Sequence, residues 1–209
     1  MAEVADEILV KKAQGGDLAA YGELVRRYQD RVYGLTVRML GASEDARDAT
    51  QDIFIRTFRS LPEYDFRSGF ATWLYRVSSK LCLDLLRRHK REQQHCLPLE
   101  EGKIREDRLQ DDRPGPEELL LEQERLEGLR QAVDCLPQGY RLALVLHHYQ
   151  ELSYRQVAEV MELPEKTVAT RIHRAKLMLR EKLLGGDGGA MPDSQKNNQP
   201  VPGRGMSAL

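Results

Sequence analysis

From Asp17 to about Leu40 the apolar positions Leu18, Tyr21, Leu24, Val25, Tyr28, Val32, Leu35 and Met39 recur every three or four residues. That spacing places side chains on one face of an α-helix. Asp17 can cap its start and Gly41 can end it. A second helix is predicted from about Ser43 to Leu61, stopping at Pro62. A third follows the stripe Phe70, Trp73, Leu74, Val77, Leu81 and Leu85 into the basic run Arg87 to Arg91. Sustained period-two alternation bounded by turn residues is hard to find anywhere, so the chain reads as all-α.

The pattern fails from about Gln93 to Pro116, where Glu100, Glu101, Glu106, Asp107, Asp111 and Asp112 are followed by Pro-Gly-Pro at 114 to 116. Residues 93–116 therefore read as an acidic, flexible linker between a helical domain at 1–92 and a smaller one at 117–184. The tail, 185–209, holds six glycines and three prolines with almost no apolar run, which predicts disorder.

Within the smaller domain, Ser153 and Gln156 have the spacing of a capping box, opening a short helix that turns Val157, Ala158 and Met161 inward. A second helix is expected to begin at Pro164, with Val168, Ile172, Ala175 and Leu179 as its buried stripe. A turn of about four residues, with small Ala158 at the close approach, makes the pair a helix-turn-helix. Between Glu165 and Lys182 stand six Lys or Arg against two acids. Phosphate neutralisation supplies most non-specific DNA affinity, so this helix reads as a DNA reader, the other reading being a merely solvated basic face. Thr170, His173 and Arg174 would face base edges in a major groove, and Arg155 and Arg171 would meet phosphates, with Lys166, Thr167 and Lys176 on the same outer face.

The larger domain carries a different chemistry. Seven of thirteen aromatic residues, Phe54, Phe58, Tyr64, Phe66, Phe70, Trp73 and Tyr75, fall within 22 positions, interleaved with Arg56, Arg59, Arg67 and Arg76. Aromatic faces stack unpaired bases and arginines follow the backbone, a combination suited to single-stranded nucleic acid. Some of these rings must be core at this helical spacing. Tyr64, Phe66, Arg67 and Ser68 are the better candidates, because Pro62 and Gly69 set them in a loop. Ahead of them Asp45, Asp48, Gln51 and Asp52 form an acidic and amide strip beside Phe54, read either as solvated surface or as a dock for a basic partner helix.

Taken together, DARDATQDIFIRTF, FRSGFATWLYRVSSKLCLDLLRRHKR and LPQGYRLALVLHHYQELSYRQVAEVMELPEKTVATRIHRAKLMLREKL resemble an extracytoplasmic-function (group IV) sigma factor over about residues 8–92 and 117–184. The resemblance implies a subunit that binds core RNA polymerase and directs it to promoters. Asp48, Gln51, Asp52 and Phe54 match the segment that grips the polymerase clamp helices. Tyr64 to Trp73, with Phe70, Arg76 and Lys80, match the loop and helix that open the minus-ten element and hold a flipped base. The smaller domain would sit on the polymerase flap and read the minus-thirty-five element, and the linker would thread toward the active-site channel. An anti-sigma partner is implied as well. Two positions depart from the family pattern: Lys80 stands where asparagine is common, and Ala169 lies in KTVAT where Gly-Thr-Val-Lys-Ser is frequent.

Composition refines this picture. The chain of 209 residues carries 32 basic and 33 acidic side chains, a balance that by itself gives no reason to suspect a nucleic-acid partner. The balance is uneven along the chain: 16 basic and 14 acidic in 1–92, 5 and 11 in 93–127, 9 and 6 in 128–184. Two weakly basic domains are joined by an acidic strap. Cys82, Cys96 and Cys135 form no CxxC pair and, odd in number, read as free thiols of a reducing compartment. No apolar run reaches membrane-span length, so a cytoplasmic location is expected, with tethering at the inner membrane face only through a membrane-bound anti-sigma protein. No phosphate loop, HExxH, GxSxG or dinucleotide fingerprint occurs, and adjacent His147 and His148 suit one metal poorly. No enzyme activity, metal or cofactor is expected. The rival reading is a helix-turn-helix regulator that never joins polymerase, which leaves the aromatic cluster and acidic strip unused.

Overall fold

The structure, a computed structural model, describes residues 5–41, 44–95 and 128–184. Among them are helices and no strand. The larger unit holds α1 (Asp6–Gln14), α2 (Leu18–Leu40), α3 (Glu44–Ser60), a 3-10 turn at Leu61–Glu63 and α4 (Phe70–His95). The smaller holds α5 (residues 128–134), α6 (Gln138–His148), α7 (Tyr154–Met161) and α8 (Glu165–Leu184). α4 runs three residues into the segment expected as linker. The remainder of that segment and the tail at 185–209 lie outside the described residues.

α1 is a helix that the apolar pattern did not announce. It packs Leu9, Val10 and Ala13 inward, and its Asp6 carboxylate accepts from the Tyr28 hydroxyl and from Arg27 Nη1 at 3.0 Å. The chain then turns through Gly16, whose φ of 94° suits a residue without Cβ, into the Asp17 cap. Asp17 Oδ1 accepts from the Ala19 and Ala20 amides at 2.9 and 3.0 Å. The capping box of α7 is complete: the Gln156 amide donates to Ser153 Oγ, and the Ser153 amide donates to Gln156 Oε1. α8 begins at Glu165, one residue after the expected Pro164, because the Pro164 carbonyl already accepts from the Thr167 and Val168 amides and so precedes the first helical residue.

Leu24, Val32, Ile53, Leu61, Phe70 and Leu74 anchor the core of the larger unit. A second apolar cluster joins the units: Leu35 and Met39 of α2 and Tyr75 and Cys82 of α4 pack with Leu142, Val145 and Leu146 of α6, Val157 and Val160 of α7, and Ile172 of α8. Polar contacts give this packing a register. The Tyr75 hydroxyl donates to Gln150 Oε1 at 2.8 Å, and Gln150 Nε2 donates to the Arg31 carbonyl at 3.0 Å. Arg141 Nη1 donates to the Met39 carbonyl at 3.1 Å, and the Arg38 guanidinium lies 3.9 Å from the centre of the Tyr149 ring. Although the composition predicts two independent domains, the described residues form two units closed on one another.

Candidate nucleic-acid interface

α8 is amphipathic as the sequence predicts. Val168, Ile172 and Ala175 are buried, while Lys166, Thr170, His173, Arg174 and Lys176 are exposed. Thr167 and Arg171 are half-buried at the edge of the stripe. The Thr170 hydroxyl donates its hydrogen to the Lys166 carbonyl at 2.9 Å, which leaves its lone pairs to accept. Gly139 lies beneath Arg171: a Cβ there would stand 3.0 Å from Arg171 Nη1. Arg155 on α7 is highly exposed and sits 3.4 Å from Glu159. Burial, and then the Lys176 charge, hold His148 below the ordinary histidine range.

The turn between α7 and α8 depends on Glu162, a non-glycine residue in the left-handed region (φ 54°, ψ 44°). The next amide, of Leu163, donates to the Ala158 carbonyl at 3.0 Å, and the Leu163 side chain packs on the shared cluster. This close return is what angles α8 against α7.

The second surface surrounds the loop between the 3-10 turn and α4. Tyr64 and Phe70 are buried, and their rings form a stack with Phe66, Trp73 and Tyr28: Tyr64 lies 4.8 Å from Phe66 and 4.9 Å from Trp73, and Phe70 lies 5.5 Å from Tyr28. The Tyr64 hydroxyl donates to the Ser68 carbonyl, which closes the loop. Phe66 takes a φ of 61°. Around it Phe66, Ser68 and Trp73 are half-buried and Arg67 is exposed, its Nε 2.8 Å from Asp65 Oδ2. On α4, Trp73, Arg76 and Lys80 follow at intervals that share a face. Lys80 is exposed, whereas Arg76 Nε donates to the Glu159 carbonyl of α7 at 3.3 Å. The structure thus groups Phe66, Arg67, Ser68 and Trp73 at one surface, sets Tyr64 and Phe70 beneath them as support, and engages Arg76 between the units.

On α3, Asp48 and Gln51 are exposed, and Asp52 is half-exposed and paired with Arg56 at 2.9 Å. Phe54 packs against the core, and its carbonyl accepts from the Tyr21 hydroxyl at 2.6 Å. Sequence reasoning grouped Phe58 with possible core residues, passed over Ile55 and counted Leu18 in the apolar stripe of α2. In the fold these three are exposed, at 41, 50 and 69 % of their surface, Ile55 and Phe58 on the helix that carries the acidic strip. The signal available was that Ile55 and Phe58 fall off the buried Ala49, Ile53 and Thr57 stripe of α3. Among the described residues no group of His, Cys, Asp or Glu could hold a metal ion, and no helix is long and apolar enough to cross a membrane.

Comparison with known proteins follows the same division. A family model described as Sigma-70 region 2 matches residues 24–92, and one described as Sigma-70, region 4 matches residues 126–179. The ECF RNA polymerase sigma factor SigW of Bacillus subtilis is 34% identical over 178 residues, spanning 83% of this chain and 94% of the relative. The RNA polymerase sigma-H factor of Pseudomonas aeruginosa is 35% identical over 173 residues, spanning 82% and 90%. Among solved structures, CnrH in complex with the cytosolic domain of CnrY superimposes with a TM-score of 0.64 at 26% identity, covering 88% of this chain and 100% of that one. With both regions in order and near-complete coverage of such relatives, the chain belongs to the ECF RNA polymerase sigma factors, which bind core RNA polymerase and direct promoter-specific initiation.

Proposed function

We propose that the two surfaces divide promoter recognition between them. α8, with Lys166, Thr167, Thr170, Arg171, His173, Arg174 and Lys176, and with Arg155 on α7, reads the minus-thirty-five duplex. The loop at Tyr64, Phe66, Arg67 and Ser68, with Phe70, Trp73, Arg76 and Lys80, opens and holds the minus-ten strand. Asp48, Gln51, Asp52 and Phe54 contact the core enzyme. The protein acts in the cytoplasm as an initiation factor with no catalytic step of its own, and an anti-sigma protein restrains it, as the CnrY cytosolic domain accompanies CnrH.

The observation that carries this reading is the sorting of α8 into a buried Val168, Ile172 and Ala175 stripe and an exposed face bearing Arg174, His173, Thr170 and three lysines or arginines beside them. Any surface helix turns polar groups to solvent, but the excess of cations over acids on this face is what a major groove takes up, together with its hydrogen-bonding groups. Ala169 and Thr167 are half-buried, so Lys166 is the exposed cation near the start of α8.

The test is run-off transcription with purified core polymerase over a promoter library, which should yield transcripts from a defined start. Retention on duplex DNA with no core association would overturn the reading. Within that assay Arg174→Ala should cost about 1–3 kcal/mol and relax preference at one minus-thirty-five position, while Arg171→Ala weakens every site alike. Uniform losses for both would contradict the division between base and phosphate contacts.

A further inference from the structure

α1 lies outside the residues matched to Sigma-70 region 2, which begin at 24, yet it holds the loop assigned above to the minus-ten strand. Gln14, the last residue of α1, donates from one nitrogen to two carbonyls, those of Leu61 and Tyr64, each at 2.9 Å. A carboxamide nitrogen carries two hydrogens, and both are used. The Leu61 carbonyl also accepts from the Tyr64 amide at 3.1 Å, closing the 3-10 turn. The two carbonyls bound by Gln14 therefore mark the beginning of that turn and its exit. Fixing the Tyr64 carbonyl fixes the peptide plane from which Asp65 and Phe66 leave.

One turn earlier on the same helix, Lys11 Nζ lies 5.5 Å from the centre of the Phe66 ring. Phe66 has left-handed backbone, which a side chain with a Cβ adopts only where its surroundings hold it. Those surroundings are Tyr64 on one side and Lys11 of α1 on the other. Backbone and ring of the loop are thus both anchored to a helix that contributes no group to the proposed DNA surface.

We propose that Gln14 is a positioning residue for promoter choice: its paired hydrogen bonds set the geometry in which Phe66, Arg67 and Ser68 meet the opened strand, and so set base preference at the minus-ten element. This rests on the assignment of the loop to that element. Gln14 acts through the loop backbone and does not touch DNA.

The chemistry of the contact supplies a discriminating pair of variants. Gln14→Glu presents acceptors to two carbonyls, whereas Gln14→Lys still presents donors at similar reach. In holoenzyme, Gln14→Glu should compress the ratio of best to worst transcript yield across promoters varied at the minus-ten positions by about tenfold, the scale of losing one or two neutral hydrogen bonds. Core affinity should stay within about twofold of the parent, since Gln14 is not among the residues assigned to the core enzyme and bonds only the loop carbonyls. Gln14→Lys should keep most of the ratio. If Glu and Lys variants behave alike, or both match the parent, Gln14 merely fills space and the proposal fails. Should the Glu variant not fold by thermal melting, the apolar isostere Gln14→Met gives the same comparison against Lys. Arg67→Ala and Ser68→Ala separate the two readings: if neither alters the minus-ten preference, the loop assignment itself is wrong, whereas altered preference there with an unchanged Gln14→Glu profile overturns only the role of Gln14.

Discussion

Cys82 has no exposed surface, lying on α4 within the cluster that joins the two units, and burial pushes its thiol up to about 12. The unfolded chain ionises this group near the ordinary thiol value of about 8.5. A folded value above the unfolded one means that its contribution is fully present below about pH 8.5 and is lost as pH rises from there toward 12, because only the unfolded chain gains from deprotonation. Stability should therefore fall by about 1.4 kcal/mol per pH unit over this window for this group alone. Between pH 8 and 10 the unfolding free energy from urea titrations should fall faster with pH in the parent than in Cys82→Ala; a parallel pH dependence would refute the assignment. The same burial makes Cys82 a poor sensor of oxidants, while exposed Cys135 is open to them. Residue placements were legible in the sequence where one environment dominates, as with the caps Asp17 and Ser153 and the outward position of Arg174. They were not legible for Phe58, Phe70 or Arg76, whose surroundings are built by helices far away in the chain.

At the scale of elements, the periodicity of α2, α4 and α8 predicts helices that the fold contains, because each buries a stripe long enough to repeat several times. α1 escaped for a physical reason. It has nine residues, its N-cap Ala5 makes no side-chain capping bond, and its apolar residues Ile8, Leu9 and Val10 are consecutive rather than spaced. So short a helix is held by tertiary packing more than by its own propensity. The turn of the helix-turn-helix carries the opposite lesson. A sequence reader sees Glu162 as ordinary, but its left-handed backbone is unfavourable for a residue with a Cβ. Glu162→Gly should stabilise the protein by about 0.5–1 kcal/mol, read as a rise in Tm of about 2–4 °C. A lower Tm would mean that the carboxylate's place ahead of the α8 N-terminus outweighs backbone strain.

For the whole molecule, the closed packing has to be reconciled with promoter geometry. Minus-ten and minus-thirty-five elements lie about 25 base pairs apart, about 85 Å of duplex at the B-form spacing. A compact body of this size is about 40 Å across, so closed units cannot meet both elements at once. A chain of 32 residues spans about 110 Å at most, so the covalent connection between the units permits separated units to do so. Separation breaks the Tyr75–Gln150–Arg31 chain, frees Arg76 and uncovers the face on which Cys82 lies. In a Cys96→Ser, Cys135→Ser background, maleimide should label Cys82 slowly in the free protein and faster once core polymerase is added. Gln150→Ala removes two hydrogen bonds across the contact, about 1–2 kcal/mol, and should speed labelling of the free protein by about tenfold. Equal rates in parent and variant would show that Cys82 is uncovered by some other motion. None of this packing was legible in the chain's composition, where an acidic, breaker-rich stretch reads simply as a spacer between independent domains.

The Gln150 contact also bears on how much of the factor a cell must make. Only open molecules can occupy polymerase and promoter together, so apparent affinity is the intrinsic affinity reduced by the open fraction. Each 1.4 kcal/mol of closure raises tenfold the dose needed to capture a share of a limited polymerase pool. A single carboxamide seated between Tyr75 and the Arg31 carbonyl is therefore a dial on the abundance at which this factor begins to outcompete its rivals.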